Sequence, residues 1–232
     1  GDHPTVVREL GPAAAECLLR CITGREIIAT AWGTSILAMT DALPYGSGPD
    51  ITVVQLLGGL GPADTLEHSA ELTQHLARKL GAKLRLLPAP GIVASREMAT
   101  ALKSDAQIAA VLQLAAEADI ALVGLGAPTP YSIVLRTGTI LSKEDLEYLQ
   151  QLGAVGDIAL RYMDRDGDPI DLEINQRIIG LTIEQIRKIP RVIGIAGGTA
   201  KHEIVRAALH GSILDVLVTD LSTAETLLAE EN

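Results

Sequence analysis

The 232-residue chain has no phenylalanine, one tryptophan, four tyrosines and two cysteines. A core without aromatics has to be filled by aliphatic side chains, and Ala, Leu, Ile and Val dominate the 47% of residues that are hydrophobic. That composition suits strands buried on both faces, with helices packed against them. Cys17 and Cys21 are too few for a disulfide framework. They stand four apart on one face of an expected helix, a spacing that could serve a metal, but no Cys/His pair elsewhere completes a ligand set. They are read as buried thiols of a reducing cytoplasm, the compartment expected for the chain. The longest apolar runs stop well short of the ~18 residues of a membrane span, so no membrane association is expected. Gly1-Asp2-His3-Pro4 has neither a basic nor an apolar segment, and no secretory signal is expected there. Basic clusters are missing too: the net charge is −10, which argues against direct contact with DNA or RNA phosphates. His3, His68, His75, His202 and His210 show no metal-ligand spacing, and His68 and His75 read as a surface stripe. Neither a metal nor a cofactor is expected.

What is present is an alternation. Strand-like runs occupy 26–31, 51–57, 83–87, 119–124, 157–163, 190–196 and 213–218. Helical patterns occupy 12–23, 35–43, 64–80, 105–117, 143–151, 182–188, 199–210 and 222–230. Alternation of this kind predicts an α/β fold: Rossmann-like, with a mostly parallel sheet and helices on both faces. No linker or repeat interrupts it, so residues 1–232 are read as one domain. Runs starting at Ser104, Thr182 and Ser222 read as capping boxes, and Pro12 as a first-turn proline. The stretch 157–174 breaks the rhythm and predicts a small antiparallel excursion, a hairpin joined by the acidic turn Asp164–Asp168. Those aspartates lack the third oxygen position and the distal glutamate of a calcium loop.

Five motifs fall at or near the ends of expected strands, where open α/β sheets bind ligands. In Trp32-Gly33-Thr34-Ser35 a strand meets a helix start through glycine and two hydroxyls. Free N–H groups and the helix dipole there suit a phosphate, and an ordinary capped turn is the alternative. Leu57-Gly58-Gly59-Leu60-Gly61 lets backbone approach a ligand, or is a flexible loop. Val123-Gly124-Leu125-Gly126-Ala127-Pro128 begins like a dinucleotide fingerprint, but it lacks the third glycine, and prolines at 128 and 130 preclude an immediate helix. Gly156-Asp157 offers an acceptor for sugar hydroxyls, or a solvated turn. Gly197-Gly198-Thr199-Ala200-Lys201-His202 places a cation in a first helical turn, where it is electrostatically misplaced unless an anion binds there too. Together these describe a site for a phosphorylated, hydroxylated small molecule. No nucleophile–base arrangement accompanies it.

With these residues in view, the chain resembles the C-terminal effector-binding domain of the SorC family of bacterial transcriptional regulators, over about Pro4 to Leu228. That family belongs with the ribose-5-phosphate isomerase, glucosamine-6-phosphate deaminase and CoA-transferase superfamily. The specific matches are Trp32–Ser35, Leu57–Gly59, Gly153–Ile158, Gly197–Lys201, Ala208–Gly211 and Leu217–Asp220. The resemblance implies a domain that senses a sugar phosphate. Gly33, Thr34 and Ser35 would hold phosphate, Gly58, Gly59 and Gly126 would line the site, Asp157 would bind hydroxyls, and Lys201 would meet a phosphate. It also implies a homodimer or homotetramer acting on operator DNA through a helix-turn-helix expected outside residues 1–232.

Two departures from the family pattern sharpen the expectation. The sugar-bisphosphate-binding member carries arginine where Leu57 stands, so a monophosphate is expected. The family's usual glutamate after the late glycine pair is Thr199. The deaminase and lactonase relatives carry Asp-Gly-His after their Leu-Gly-x-Gly run, whereas Ala127-Pro128-Thr129 stands here. The expectation is therefore a ligand sensor without catalysis, and a sugar-phosphate isomerase, deaminase or lactonase is the alternative.

Overall fold

The computed structural model describes residues 3–48, 50–60, 70–128, 143–170 and 173–230. Its strands are β1 (Ile27–Thr30), β2 (Thr52–Gln55), β3 (Lys83–Arg85), β4 (Ile120–Gly126), β5 (Gly156–Ile158), β6 (Arg161–Met163), β7 (Arg191–Ile195) and β8 (Val216–Val218). Its helices are α1 (His3–Cys21), α2 (Thr34–Ala42), α3 (Ala70–Leu80), α4 (Arg96–Ser104), α5 (Ala106–Ala116), α6 (Lys143–Gln151), α7 (Glu173–Gln176), α8 (Ile183–Arg187), α9 (His202–His210) and α10 (Leu221–Glu230). A short 3-10 turn, Thr199–Lys201, precedes α9.

Six strands run parallel in the order β3-β2-β1-β4-β7-β8. The chain winds outward from β1 in one direction through β2 and β3, then returns to start again at β4. Adjacent β1 and β4 thus mark the switch point of a doubly wound sheet, and sheets of this kind bind ligands beyond the carboxyl ends of such strands. The fold class is the one expected, antiparallel excursion included.

Strand alternation divides the core. Ile28, Val53, Leu122 and Ile193 face α1, α2 and α3, while Ala29, Val54, Ala121 and Val192 lie on the side of α5, α8, α9 and the β5–β6 hairpin. The β3 edge carries Lys83 and Arg85, charges that discourage further strand pairing.

Several local expectations need correction. Helix α1 begins at His3 rather than residue 12, so Pro12 lies inside it. Buried Val6, Leu10, Ala14 and Leu18 recur every fourth residue, and this packing overrides the lost backbone bond. Cys17 and Cys21 are free but only half-buried; burial and the neighbouring Cys21 push the Cys17 thiol up. The expected strand 157–163 is two strands, because Ala159 (φ 51°) and Leu160 (φ 64°) form a tight turn in its middle. The acidic turn is also present. Asp164 Oδ1 accepts from the amides of Asp166 and Asp168 at 2.9 and 3.0 Å, and Met163 bridges Pro169 beyond it. The N-caps of α5 and α10 are not the expected serines. Asp105 accepts from Gln107 and Ile108, and Asp220 from Thr223. The Thr182 capping box is as expected. Helix α4, which the sequence pattern misses, is capped by Ser95. His75 pairs with Asp41 at 2.8 Å, whereas His68, Gly61, Thr129, Pro130, Asp171 and Leu172 lie outside the described residues.

Candidate functional site

Four of the sequence motifs lie beyond the carboxyl ends of parallel strands. Gly33–Ser35 follows β1, Gly58–Gly59 follows β2, Gly126 ends β4, and Gly197–Lys201 follows β7. Asp157 joins them from the hairpin, because β4 forks. Its Ile120–Gly124 portion pairs with β7, and its Leu125–Gly126 portion pairs with β5.

At the β1 end, Gly33 adopts φ 144° and ψ 162°, a conformation side chains rarely take, and the space where its Cβ would project is open. Helix α2 starts there without a side-chain cap. Among the described residues no hydrogen bond uses the first-turn amides of Thr34, Ser35 or Ile36. Amides without a partner at the positive end of a nine-residue helix are electrostatically suited to an anion.

The β2 loop is built differently. The Gly58 amide donates to Ile179 O at 2.9 Å, and its carbonyl accepts from Trp32 Nε1 at 3.0 Å. A Cβ at Gly58 would come within 2.5 Å of the Ala89–Pro90 backbone. Gly58 therefore works by close packing and presents neither backbone group to a ligand. Gly59 accepts from Gly91 at 2.7 Å, and Leu57, where the bisphosphate-binding pattern has arginine, is buried in the core.

Asp157, Gly126 and Lys201 form one cluster. A Cβ at Gly126 would stand 2.0 Å from Asp157 Oδ1, so glycine there makes a seat for the carboxylate. The Leu160 amide donates to Asp157 Oδ2 at 3.1 Å. Lys201 Nζ donates to Leu125 O at 2.6 Å. Burial raises the Asp157 pKa, opposed by the Lys201 charge and the Leu160 donor, while burial lowers that of Lys201, opposed by Asp157. Burial thus opposes the ionised form of both groups, and each relieves the other in part, a tension that contacts with a polar ligand can relieve further.

The late glycine loop is clamped from behind. Gly198 N donates to Asp220 Oδ2 at 2.6 Å and to Thr223 Oγ1 at 3.2 Å. Burial works to raise the Asp220 pKa, but donors from Thr223 and Gly198 prevail and lower it. Gly198 has φ 89°, with open space before it.

Sequence reasoning missed three contributors: Asp220 as a clamp, Trp32 as a bond to Gly58, and buried Arg161. Asp220 and Trp32 stood within noted motifs; Arg161 carried no local signal. A shallow groove of about 420 Å³ opens at the opposite end of the sheet, lined in part by Arg25, Glu26, Asp119 and Arg191. Its two carboxylates are spent on backbone amides of Thr23, Gly24 and Ile27. Among the described residues no group of three His, Cys, Asp or Glu side chains is placed to hold a metal.

The geometry is that of a doubly wound α/β domain in which a helix start without a side-chain cap follows β1, and Asp157 and Lys201 gather near the carboxyl end of β4. Residues 1–229 match the family described as "Putative sugar-binding domain". The chain is 31% identical over 232 residues to the transcriptional regulator LsrR of Klebsiella pneumoniae, covering 98% of this chain and 69% of the relative. A DeoR-family transcriptional regulator from Listeria monocytogenes superposes with a TM-score of 0.88 at 31% identity, covering 95% of this chain and 86% of that one. The full-length sorbitol operon regulator SorC from Klebsiella pneumoniae superposes with a TM-score of 0.88 at 26% identity, covering 96% and 72% respectively. The chain belongs to the sugar-binding domain family of SorC/DeoR-type transcriptional regulators. Among the described residues no helix is long and apolar enough to cross a membrane.

Proposed function

We propose that residues 1–232 form one effector-binding domain that takes a sugar monophosphate in the crevice beyond β1, β4 and β7. In a longer regulator, occupancy of this site modulates operator binding through a separate DNA-binding segment. The observation that carries this reading is the uncapped start of α2 behind Gly33, whose amides have no partner among the described residues. The phosphate sits on Thr34 and Ser35. Asp157 accepts from sugar hydroxyls, Lys201 adds a cation, and Gly58, Gly59 and Gly126 shape the walls. Buried Leu57 leaves a second phosphate without a charged partner at that position, which favours a monophosphate. The domain senses rather than catalyses: the acid–base residues of the enzyme relatives have no counterpart at Ala127-Pro128-Thr129. Two-fold operators call for symmetric proteins, so the regulator acts as a homodimer or homotetramer.

A thermal-shift screen of sugar monophosphates, bisphosphates and free sugars tests the reading. A ligand at a hundred times its Kd stabilises the native state by about 2.7 kcal/mol. At least one monophosphate should raise the midpoint while its unphosphorylated parent does not. Turnover of any of these sugar phosphates by the purified chain would overturn the sensing role.

A further inference from the structure

Arg161 is buried, at 6% exposure, yet among the described residues no carboxylate lies within ion-pair distance of it. Its guanidinium donates to three main-chain carbonyls instead: Nη1 to Asn175 O at 2.5 Å, Nε to Leu181 O at 3.1 Å and Nη2 to Gly180 O at 3.2 Å. The Glu184 carboxylate eases the charge from beyond ion-pair distance, but burying a cation on neutral carbonyls is still costly, and a protein that does so gains something from its placement. Here the gain is a connection. Residues 175–181 form a strap across the sheet's loops, with Leu57 bridging Gly180 and Ile92 bridging Ile178. Gly58 N donates to Ile179 O, Leu181 N to Leu56 O and Ile179 N to Gly91 O, each at 2.9 Å. At its other end Arg161 pairs with Ile158 in the hairpin turn whose Leu160 amide holds Asp157.

We infer that Arg161 is a positioning residue that sets the separation of the two crevice walls, tying the Asp157 hairpin through the 175–181 strap to the Gly58–Gly59 loop. The inference rests on the effector-site reading above for its consequence in binding. The wall-to-wall link itself stands on the geometry alone. Only the planar fork of arginine spans three carbonyls at once; lysine keeps the charge but offers a single point of attachment. Trp32 reports on the link because it is the only tryptophan in the chain and its indole N–H is bonded to Gly58 O, at the far end of the strap.

The test compares Arg161→Lys and Arg161→Gln with the parent chain. In ligand-free protein that retains its far-ultraviolet circular dichroism, Trp32 emission should shift to the red and quench more readily with acrylamide. An unaltered Trp32 spectrum in either folded variant would overturn the inference. With ribose 5-phosphate or glucose 6-phosphate, whichever stabilises the parent chain more, both variants should bind roughly tenfold more weakly, about 1.4 kcal/mol. Unchanged affinity would overturn it as well. If neither phosphate binds the parent chain, the effector reading is what suffers, and Trp32 emission still decides the role of Arg161. If both variants fail to fold, amide exchange in the parent chain decides instead. Gly58, Ile179 and Leu181 should exchange as one cooperative unit, and rates scattered over orders of magnitude would refute a rigid strap.

Discussion

The carboxylate of Asp157 occupies the volume that a side chain on Gly126 would need, with Oδ1 2.0 Å from the position of the missing Cβ. The two residues face each other across the β4–β5 pair, so the glycine at the end of β4 sets where the acid stands.

Gly126→Ala should therefore displace Asp157. Overpacking of this kind costs about 1–3 kcal/mol, and effector affinity should fall further than stability alone accounts for. Denaturant melts paired with calorimetric titration check both halves. An alanine variant with the affinity of the parent chain would show that the Asp157 carboxylate does not touch the ligand.

Asp157→Asn separates stability from binding through pH. The folded-state pKa of Asp157 is raised, chiefly by burial, so the unfolded chain gives up this proton first as pH rises. The parent chain thus loses stability from this group between the unfolded and folded pKa values. Asparagine removes that loss. The ligand-free variant should melt above the parent chain at neutral pH, and the difference should vanish in acid, where Asp157 is protonated. Effector binding should weaken at neutral pH. Thermal melts across pH provide the check, and a difference that grows in acid would reverse the assignment.

Lys201→Ala removes a cation from the crevice together with its bond to Leu125 O. Affinity should drop by about 1.5–3 kcal/mol, the range for a hydrogen bond involving a charged group. Ligand-free stability should fall by less than affinity does, because the unfavourable placement of an ammonium beside a helix start offsets part of what its Leu125 O bond and the Asp157 charge contribute. Calorimetry and melts on the same preparation distinguish this from a structural lysine, which would show the opposite pattern.

How much of this was legible in sequence depends on how local the physics is. Strand-to-helix alternation, the glycine turns at Gly33 and Gly198 and the glycine that ends β4 announce themselves, because each is written in neighbouring residues. The turn at Ala159–Leu160 does not. Both residues adopt a left-handed backbone that their side chains disfavour, held by burial and by the Asp157–Leu160 bond rather than by a glycine signal. Helix α4 escapes because it is short and mostly polar: only Ala99 of its nine residues is buried, and its apolar stripe is limited to Met98, Ala99 and Leu102. At the site, the positions of the glycines were readable but not all their tasks. That Gly58 packs against the Ala89–Pro90 backbone, and that Arg161 reaches carbonyls fourteen to twenty residues along the chain, are products of tertiary contact.

The central claim is that an anion binds at the start of α2, and Thr34→Glu tests it most directly. An acidic side chain in the first turn of a helix favours the ligand-free fold by about 0.3–1 kcal/mol. The same charge repels a phosphate. Titrated by calorimetry with the sugar monophosphate that stabilises the parent chain most, the variant should show no measurable binding while melting no lower than its parent. Binding within threefold of the parent chain would contradict the account.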